Sequence, residues 1–173
     1  MATVELSYNC AHCGQQNIDK DNFYEVIDKC FTLLPEKIEE ITEENFQSVF
    51  GSKTAEKNKN IVYIWKSKAK IPRLNGSSNI LYIGQTKQSF KNRYFQYAKK
   101  EASTKANSLK YQTIIENYGS ITISVCDFSI FGDTLLKSEG QLLWWYFQNH
   151  CEYPPFNYTQ TKIRNDTVKY NKS

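Results

Sequence analysis

Glu139 lies in a stretch, Thr134 to Asn149, where it shares one helical face with Leu135, Leu136, Leu142, Leu143 and Tyr146. A carboxylate is thereby aimed at an apolar surface. An unpartnered charge is costly there, so the group must meet a metal ion, an arginine or a polar pocket, unless the helix turns it to the edge of its buried stripe. Arg93 poses the same question, because Phe90, Arg93, Tyr94 and Tyr97 occupy the i, i+3, i+4 and i+7 positions of one face. Either its stem packs on the rings with the guanidinium exposed, or the guanidinium waits for an anion. Two tyrosines, Tyr63 and Tyr82, sit in short β-branched and aromatic runs, where a phenol can be a strand aromatic or a chemical group. Near the start, Cys10-Ala-His-Cys13-Gly14 has the form of a zinc knuckle. With no second such pair, Cys30 is the candidate third ligand and Cys151 or His150 the fourth; two reduced thiols in an arm is the competing reading.

The elements that must position these residues follow from periodicity. Phe23, Val26, Ile27, Cys30 and Phe31 recur with helical spacing, and Ile38, Ile41, Phe46 and Val49 do so more loosely. Gly51 to Asn60 is polar, Lys-rich and aperiodic, a natural boundary. Two strands, Ile61–Trp65 and Ile80–Gly84, are expected to pair as a hairpin across a long basic loop, Lys66 to Asn79. A helix is expected from Lys87 to about Ala102 and another from Leu109 to Tyr118, ending at Gly119. A third strand, Ile121–Val125, and the helix carrying Glu139 follow, and Pro154-Pro155 ends the regular structure. The expected architecture is α/β (α+β): a three-stranded mixed or antiparallel sheet flanked by helices. A helical N-terminal extension occupies 1–57, the core 58–160 and a polar tail 161–173.

Composition narrows the function classes. Aromatic content of 14% with only 7 Gly and 4 Pro argues for a folded chain rather than a disordered or fibrous one. No apolar run approaches the roughly 20 residues that span a bilayer, and the start lacks a basic segment followed by an apolar one. A soluble, cytoplasmic protein with reduced thiols is expected; five cysteines, an odd number at irregular spacing, argue against a disulfide framework. Charge is divided unevenly: residues 1–50 carry 10 acidic and 3 basic side chains, net −7, and 51–173 carry 8 and 19, net +11. The basic part suits a polyanion such as DNA. Candidate phosphate contacts are Lys66, Lys68, Lys70 and Arg73 in the hairpin loop, with Lys87 and Lys91 opening the next helix. An ordinary solvated loop is the alternative.

Taken in order, residues 61 to 158 resemble the GIY-YIG nuclease family. Tyr82-Ile83-Gly84, extended by Gln85-Thr86, matches the second signature, and Ile61-Val62-Tyr63 stands at the first, keeping the tyrosine but not the glycine. Arg93 matches the helix arginine, Tyr97 the His or Tyr one turn later, Glu139 the metal-binding glutamate and Asn157 the closing asparagine. The resemblance implies hydrolysis of DNA phosphodiester bonds, leaving 5′-phosphate and 3′-hydroxyl ends. Glu139 would hold one Mg²⁺ or Mn²⁺ and Arg93 would bind the scissile phosphate. Tyr63 is the candidate general base, Tyr82 and Tyr97 would position water and phosphate, and Asn157 would brace the site. Spacing does not assign the proton to one tyrosine.

A core with short extensions is more like a type II restriction endonuclease than a repair subunit or homing enzyme, and a two-fold homodimer on double-stranded DNA would follow. The alternatives are a structure-specific nuclease of repair, recombination or a mobile element, and a catalytically silent DNA-binding or zinc-knuckle adaptor.

Overall fold

The computed structural model describes residues 7–10 and 14–157. Strand β1 (Ser7–Cys10) pairs antiparallel with β2 (Gly14–Asn17) as a separate ribbon, followed by helix α1 (Phe23–Cys30). The main sheet is antiparallel and four-stranded, made of β3 (Thr32–Leu33), β4 (Ile61–Pro72), β5 (Ser77–Thr86) and β6 (Ile121–Asp127) in the order β3-β6-β4-β5. Between β3 and β4 lie α2 (Glu43–Phe50) and α3 (Lys53–Lys57). Between β5 and β6 lie α4 (Phe90–Tyr94), a 3-10 turn (Phe95–Tyr97), α5 (Ala98–Ser103) and α6 (Lys105–Tyr118). Helix α7 (Leu135–His150) ends the regular structure.

Alternation along β4 sends its residues to two cores. Ile61, Tyr63 and Trp65 face a cluster with Phe46, Val49 and Phe50 of α2 and Phe90 of α4. Val62 and Ile64 face the other, with Val26 and Ile27 of α1 and Leu142, Leu143 and Tyr146 of α7. A strand with apolar side chains in both directions is what a sheet covered on both faces requires. Side-chain caps set the helix starts that matter for the site: Ser89 accepts from Asn92 N at 3.2 Å, and Thr134 accepts from Lys137 N at 3.2 Å.

Four expectations need correction. The sheet has four strands rather than three, because β3 pairs with β6; Leu34 N donates to Ile123 O, and Ile38 and Ile121 exchange backbone bonds. Two exposed residues carry too little pattern to be read as a strand, and only the open edge of β6 makes them one. The long loop from 66 to 79 is mostly strand: β4 runs on to Pro72, and the turn is residues 73–76, closed by Arg73 N donating to Gly76 O at 3.0 Å with Gly76 at φ +70°. Its lysines concealed a backbone that pairs with β6 through Lys66 and Ser67. The aperiodic stretch 51–60 contains α3, capped by Ser52 and anchored through buried Ala55.

The single helix expected from 87 to 102 is broken into α4, a 3-10 turn and α5. No Pro or Gly causes the break. Phe95 packs so closely on the end of α2 that a Cβ on Gly51 would lie 2.9 Å from its ring, and this contact sets the turn between α4 and α5.

The acidic segment shares the core through Phe50, whose ring lies 5.5 to 5.9 Å, centroid to centroid, from those of Phe46, Trp65, Phe90 and Tyr94. Phe50→Ala is expected to lower the free energy of unfolding by about 3–5 kcal/mol, measured by urea denaturation. A loss below about 1 kcal/mol would show that α2 is dispensable to this core.

Candidate active site

The hairpin register places the site tyrosines. Tyr63 lies opposite Gly84 and Trp65 opposite Tyr82, but Lys66 then lies opposite Ile80. Strand β5 therefore has one extra residue, Leu81, a β-bulge. Without it Leu81 and Tyr82 would face opposite sides; instead both join the cluster that contains Tyr63, while Ile80 and Ile83 join the other.

Gly84 is where the two tyrosines meet. A Cβ there would lie 2.7 Å from the Tyr63 hydroxyl and 2.6 Å from the Tyr82 ring, closer than any side chain could sit. The rings of Tyr63 and Tyr82 are 6.0 Å apart. A third tyrosine, Tyr94 on α4, brings its hydroxyl to 2.9 Å from that of Tyr63, with the rings edge to face at 5.5 Å. Sequence reasoning did not single out Tyr94 as a site residue. It stood next to Arg93 on the same proposed face, and the phenol neighbouring a candidate phosphate ligand was the signal available.

Burial, foremost, raises the Tyr63 phenol well above its ordinary value, and the nearby Tyr94 and Tyr82 phenols and the Glu139 carboxylate add to the effect. Tyr94 is raised by burial and by Tyr82, with the Tyr63 hydrogen bond and Arg93 pulling the other way. The main influences on Tyr63 all raise it, and none of them is a lysine of the hairpin.

Glu139, 8% exposed, enters from α7 near enough for its charge to act on Tyr63. Arg93 is exposed on α4, its guanidinium carbon 6.0 Å from the centre of the Tyr94 ring. Asn157 is fully buried and acts on the backbone: its Oδ1 accepts from Ile83 N at 2.9 Å and its Nδ2 donates to Ile83 O at 2.7 Å. Since β5 is an edge strand, this side chain behaves as a one-residue strand sealing that edge, and Phe156 N donating to Leu81 O continues the seal. The structure thus gathers Tyr63 and Tyr82 at Gly84, braces the neighbouring Ile83 with Asn157, and brings Glu139 within electrostatic reach of Tyr63, with Arg93 on the adjoining surface.

Other expected site residues lie elsewhere. Tyr97, in the 3-10 turn, is 37% exposed and has left the face shared by Phe90 and Tyr94. Lys66 is ion-paired to Asp28 at 2.7 Å and Lys91 to Glu56 at 2.9 Å, whereas Lys68, Lys70 and Lys87 are exposed. The Arg73 side chain is only 7% exposed, turned inward with Glu152 as its distant counter-ion at 3.9 Å, so it offers no open phosphate contact. Tyr24 donates to Ser78 Oγ beside it at 2.7 Å.

Of the zinc-knuckle residues, Cys13 lies outside the described residues and Cys10 is described only in its backbone. Cys30 is half-buried on α1 and Cys151 exposed after α7. His150 has both ring nitrogens engaged: Nδ1 donates to Asn75 O at 2.7 Å and Nε2 bonds the Tyr24 hydroxyl. Among the described residues no three His, Cys, Asp or Glu side chains group around a common point, and no helix is long and apolar enough to cross a membrane. Compared with protein-family models, curated proteins and solved structures, the chain matches none of them.

Gly84→Ala is expected to destabilise the fold by about 1–3 kcal/mol through overpacking and to separate the tyrosine rings, visible as a change in near-ultraviolet circular dichroism; an unchanged spectrum and stability would refute the close approach. The raised phenols also set a pH dependence. The folded protein keeps these protons while the unfolded chain releases them near the reference value of about 10. Their contribution to stability is therefore complete below about pH 10 and is lost as pH rises beyond it. Urea denaturation across that range is expected to show the decline, and Tyr63→Phe or Tyr94→Phe to flatten it.

Proposed function

We propose that this chain is a metal-dependent DNA endonuclease of the GIY-YIG type, acting as a sequence-specific type II restriction enzyme and leaving 5′-phosphate and 3′-hydroxyl ends. The observation that carries this reading is the cluster of the Tyr63, Tyr82 and Tyr94 phenols, with the buried Glu139 carboxylate near enough to act on Tyr63 and the exposed guanidinium of Arg93 beside Tyr94. A buried carboxylate beside phenols and an exposed arginine is a donor set suited to binding a cation and a phosphate together.

The donor set suits a hard divalent cation. Glu139 offers carboxylate oxygens amid phenolic ones, and Mg²⁺ or Mn²⁺ accepts a single protein carboxylate while keeping most of its waters. When bound, such an ion supplies Lewis-acid stabilisation of the phosphate and of the leaving oxygen.

The chain's own residues account for the rest. Arg93, always charged and forked, binds the non-bridging oxygens as charge builds on phosphorus. The Tyr63–Tyr94 pair orients the attacking water. Both phenols are kept protonated by burial, so they orient the water by hydrogen bonds, and either could take its proton only with positive charge beside it. Tyr82 closes the other side of the pair. Asn157 holds Ile83, and so fixes the strand segment that carries Tyr82 and Gly84. The exposed Lys68, Lys70 and Lys87 are available to the duplex backbone. Cutting both strands of a palindromic site implies a homodimer.

Incubation with long duplex DNA and Mg²⁺ is expected to give discrete bands. Glu139→Gln is expected to reduce cleavage by more than about 100-fold, as loss of a metal ligand should exceed loss of a supporting contact. Arg93→Ala should reduce it by about 10²–10³-fold, and chelation should abolish it. DNA left intact by the wild type under every metal and salt condition would end the nuclease reading. Cleavage by Glu139→Gln at the wild-type rate would remove that residue from the site.

A further inference from the structure

Beside the tyrosines, on the face covered by α5 and α6, lies a partly open cavity of about 110 Å³. Its walls are aromatic, formed by Trp65, Tyr82, Tyr94, Tyr111 and Phe156, with Tyr82 and Tyr94 shared with the candidate active site. Three of its lining residues carry polar groups with hydrogen-bonding capacity to spare. Trp65 is only 3% exposed, yet its indole N–H has no acceptor among the described residues. Glu101 accepts from the Tyr111 hydroxyl and from Asn107 Nδ2, both on Oε2, and neither bond uses Oε1. Lys110 donates one long bond, to Asn107 Oδ1 at 3.3 Å, and holds its ammonium 4.6 Å from the ring centres of both Tyr111 and Phe156, where burial lowers its proton affinity and Glu101 partly restores it.

Flat aromatic walls, one carboxylate acceptor and two N–H donors form an edge-and-face pattern. A phosphate would be repelled by Glu101, and an aliphatic ligand would leave the indole N–H and the carboxylate unmatched. A heteroaromatic ring with an exocyclic amine for Glu101 and a ring nitrogen or carbonyl for Trp65 or Lys110 matches all three. The cavity is about the size of one such ring.

We propose that this cavity receives one unstacked nucleobase of the DNA, adjacent to the phosphate held at the tyrosines. The proposal rests on the nuclease reading above, and it favours a structure-specific substrate over the intact palindromic duplex of a restriction enzyme. A base already unpaired enters without the unstacking and unpairing cost of one drawn from an intact duplex. DNA with a bulged or otherwise unpaired nucleotide is therefore the preferred ligand.

The test uses the full chain in EDTA and two duplex oligonucleotides of one sequence, with 2-aminopurine either bulged or paired. The bulged duplex is expected to bind at least about five-fold more tightly, the smallest gain that stacking one base supplies. Its 2-aminopurine fluorescence should be quenched on binding. Lys110→Met and Trp65→Phe should each remove most of that preference while leaving affinity for the paired duplex unchanged; Lys110→Met carries the test alone if Trp65→Phe fails to fold. Equal affinity with no quenching, from a protein that still cleaves DNA in Mg²⁺, overturns the base pocket and leaves the nuclease intact. Failure to bind or cut either DNA removes both.

Discussion

At Gly84 the sheet has no side chain, and the space is taken by two tyrosine rings whose atoms come within 2.7 Å of where a Cβ would stand. Most of the site depends on that close approach. It brings the Tyr63 hydroxyl to the level of the backbone, where Tyr94 can reach it from α4 and the charge of Glu139 can act on it from α7. A methyl group at this position would push the rings apart and break up the arrangement from its centre. The backbone beneath must itself be fixed, and Asn157 fixes it by pairing both polar groups of Ile83 from beyond the edge of the sheet.

The site is bistable in its electrostatics. In the folded chain Tyr63 and Tyr94 are hydrogen-bonded to each other and raised by burial, and Glu139 is buried close enough for its charge to add to the effect on Tyr63. Each condition favours a cation nearby: it would offset the carboxylate and lower the phenols together. Arg93, on the rim, has that sign already, but its exposure leaves its charge partly screened by solvent.

Aromatic packing joins this centre to the acidic N-terminal segment. Phe50 touches Trp65, Phe90 and Tyr94, so the ring that donates to or accepts from Tyr63 is held in place by a helix nearly 50 residues away in the chain. The same segment contributes β3 to the sheet and α1 to its other face. Opposite charge in the two parts of the chain helps here, as Asp28 meets Lys66, and within the basic part Glu56 meets Lys91. These pairs lie near the surface and add little to stability individually. They do occupy two of the lysines that charge counting had assigned to DNA.

The sequence by itself determined the mixed α/β class, the β4–β5 hairpin, the helix carrying Glu139 and the inward aim of that carboxylate. Each rests on a local period, 2 for strands and 3.6 for helices, expressed over enough residues to stand out. Only the tertiary structure decided the fourth strand, the bulge at Leu81, the break at Phe95 and the placing of Tyr94, rather than Tyr97, beside Tyr63. A two-residue strand exists because β6 has an open edge. A bulge shifts every later side chain by one face, and a helix bends where a distant Gly51 admits a ring. Such features depend on what lies opposite a residue rather than beside it, and opposition across a sheet or between helices is settled by packing and edge pairing after the chain has closed on itself.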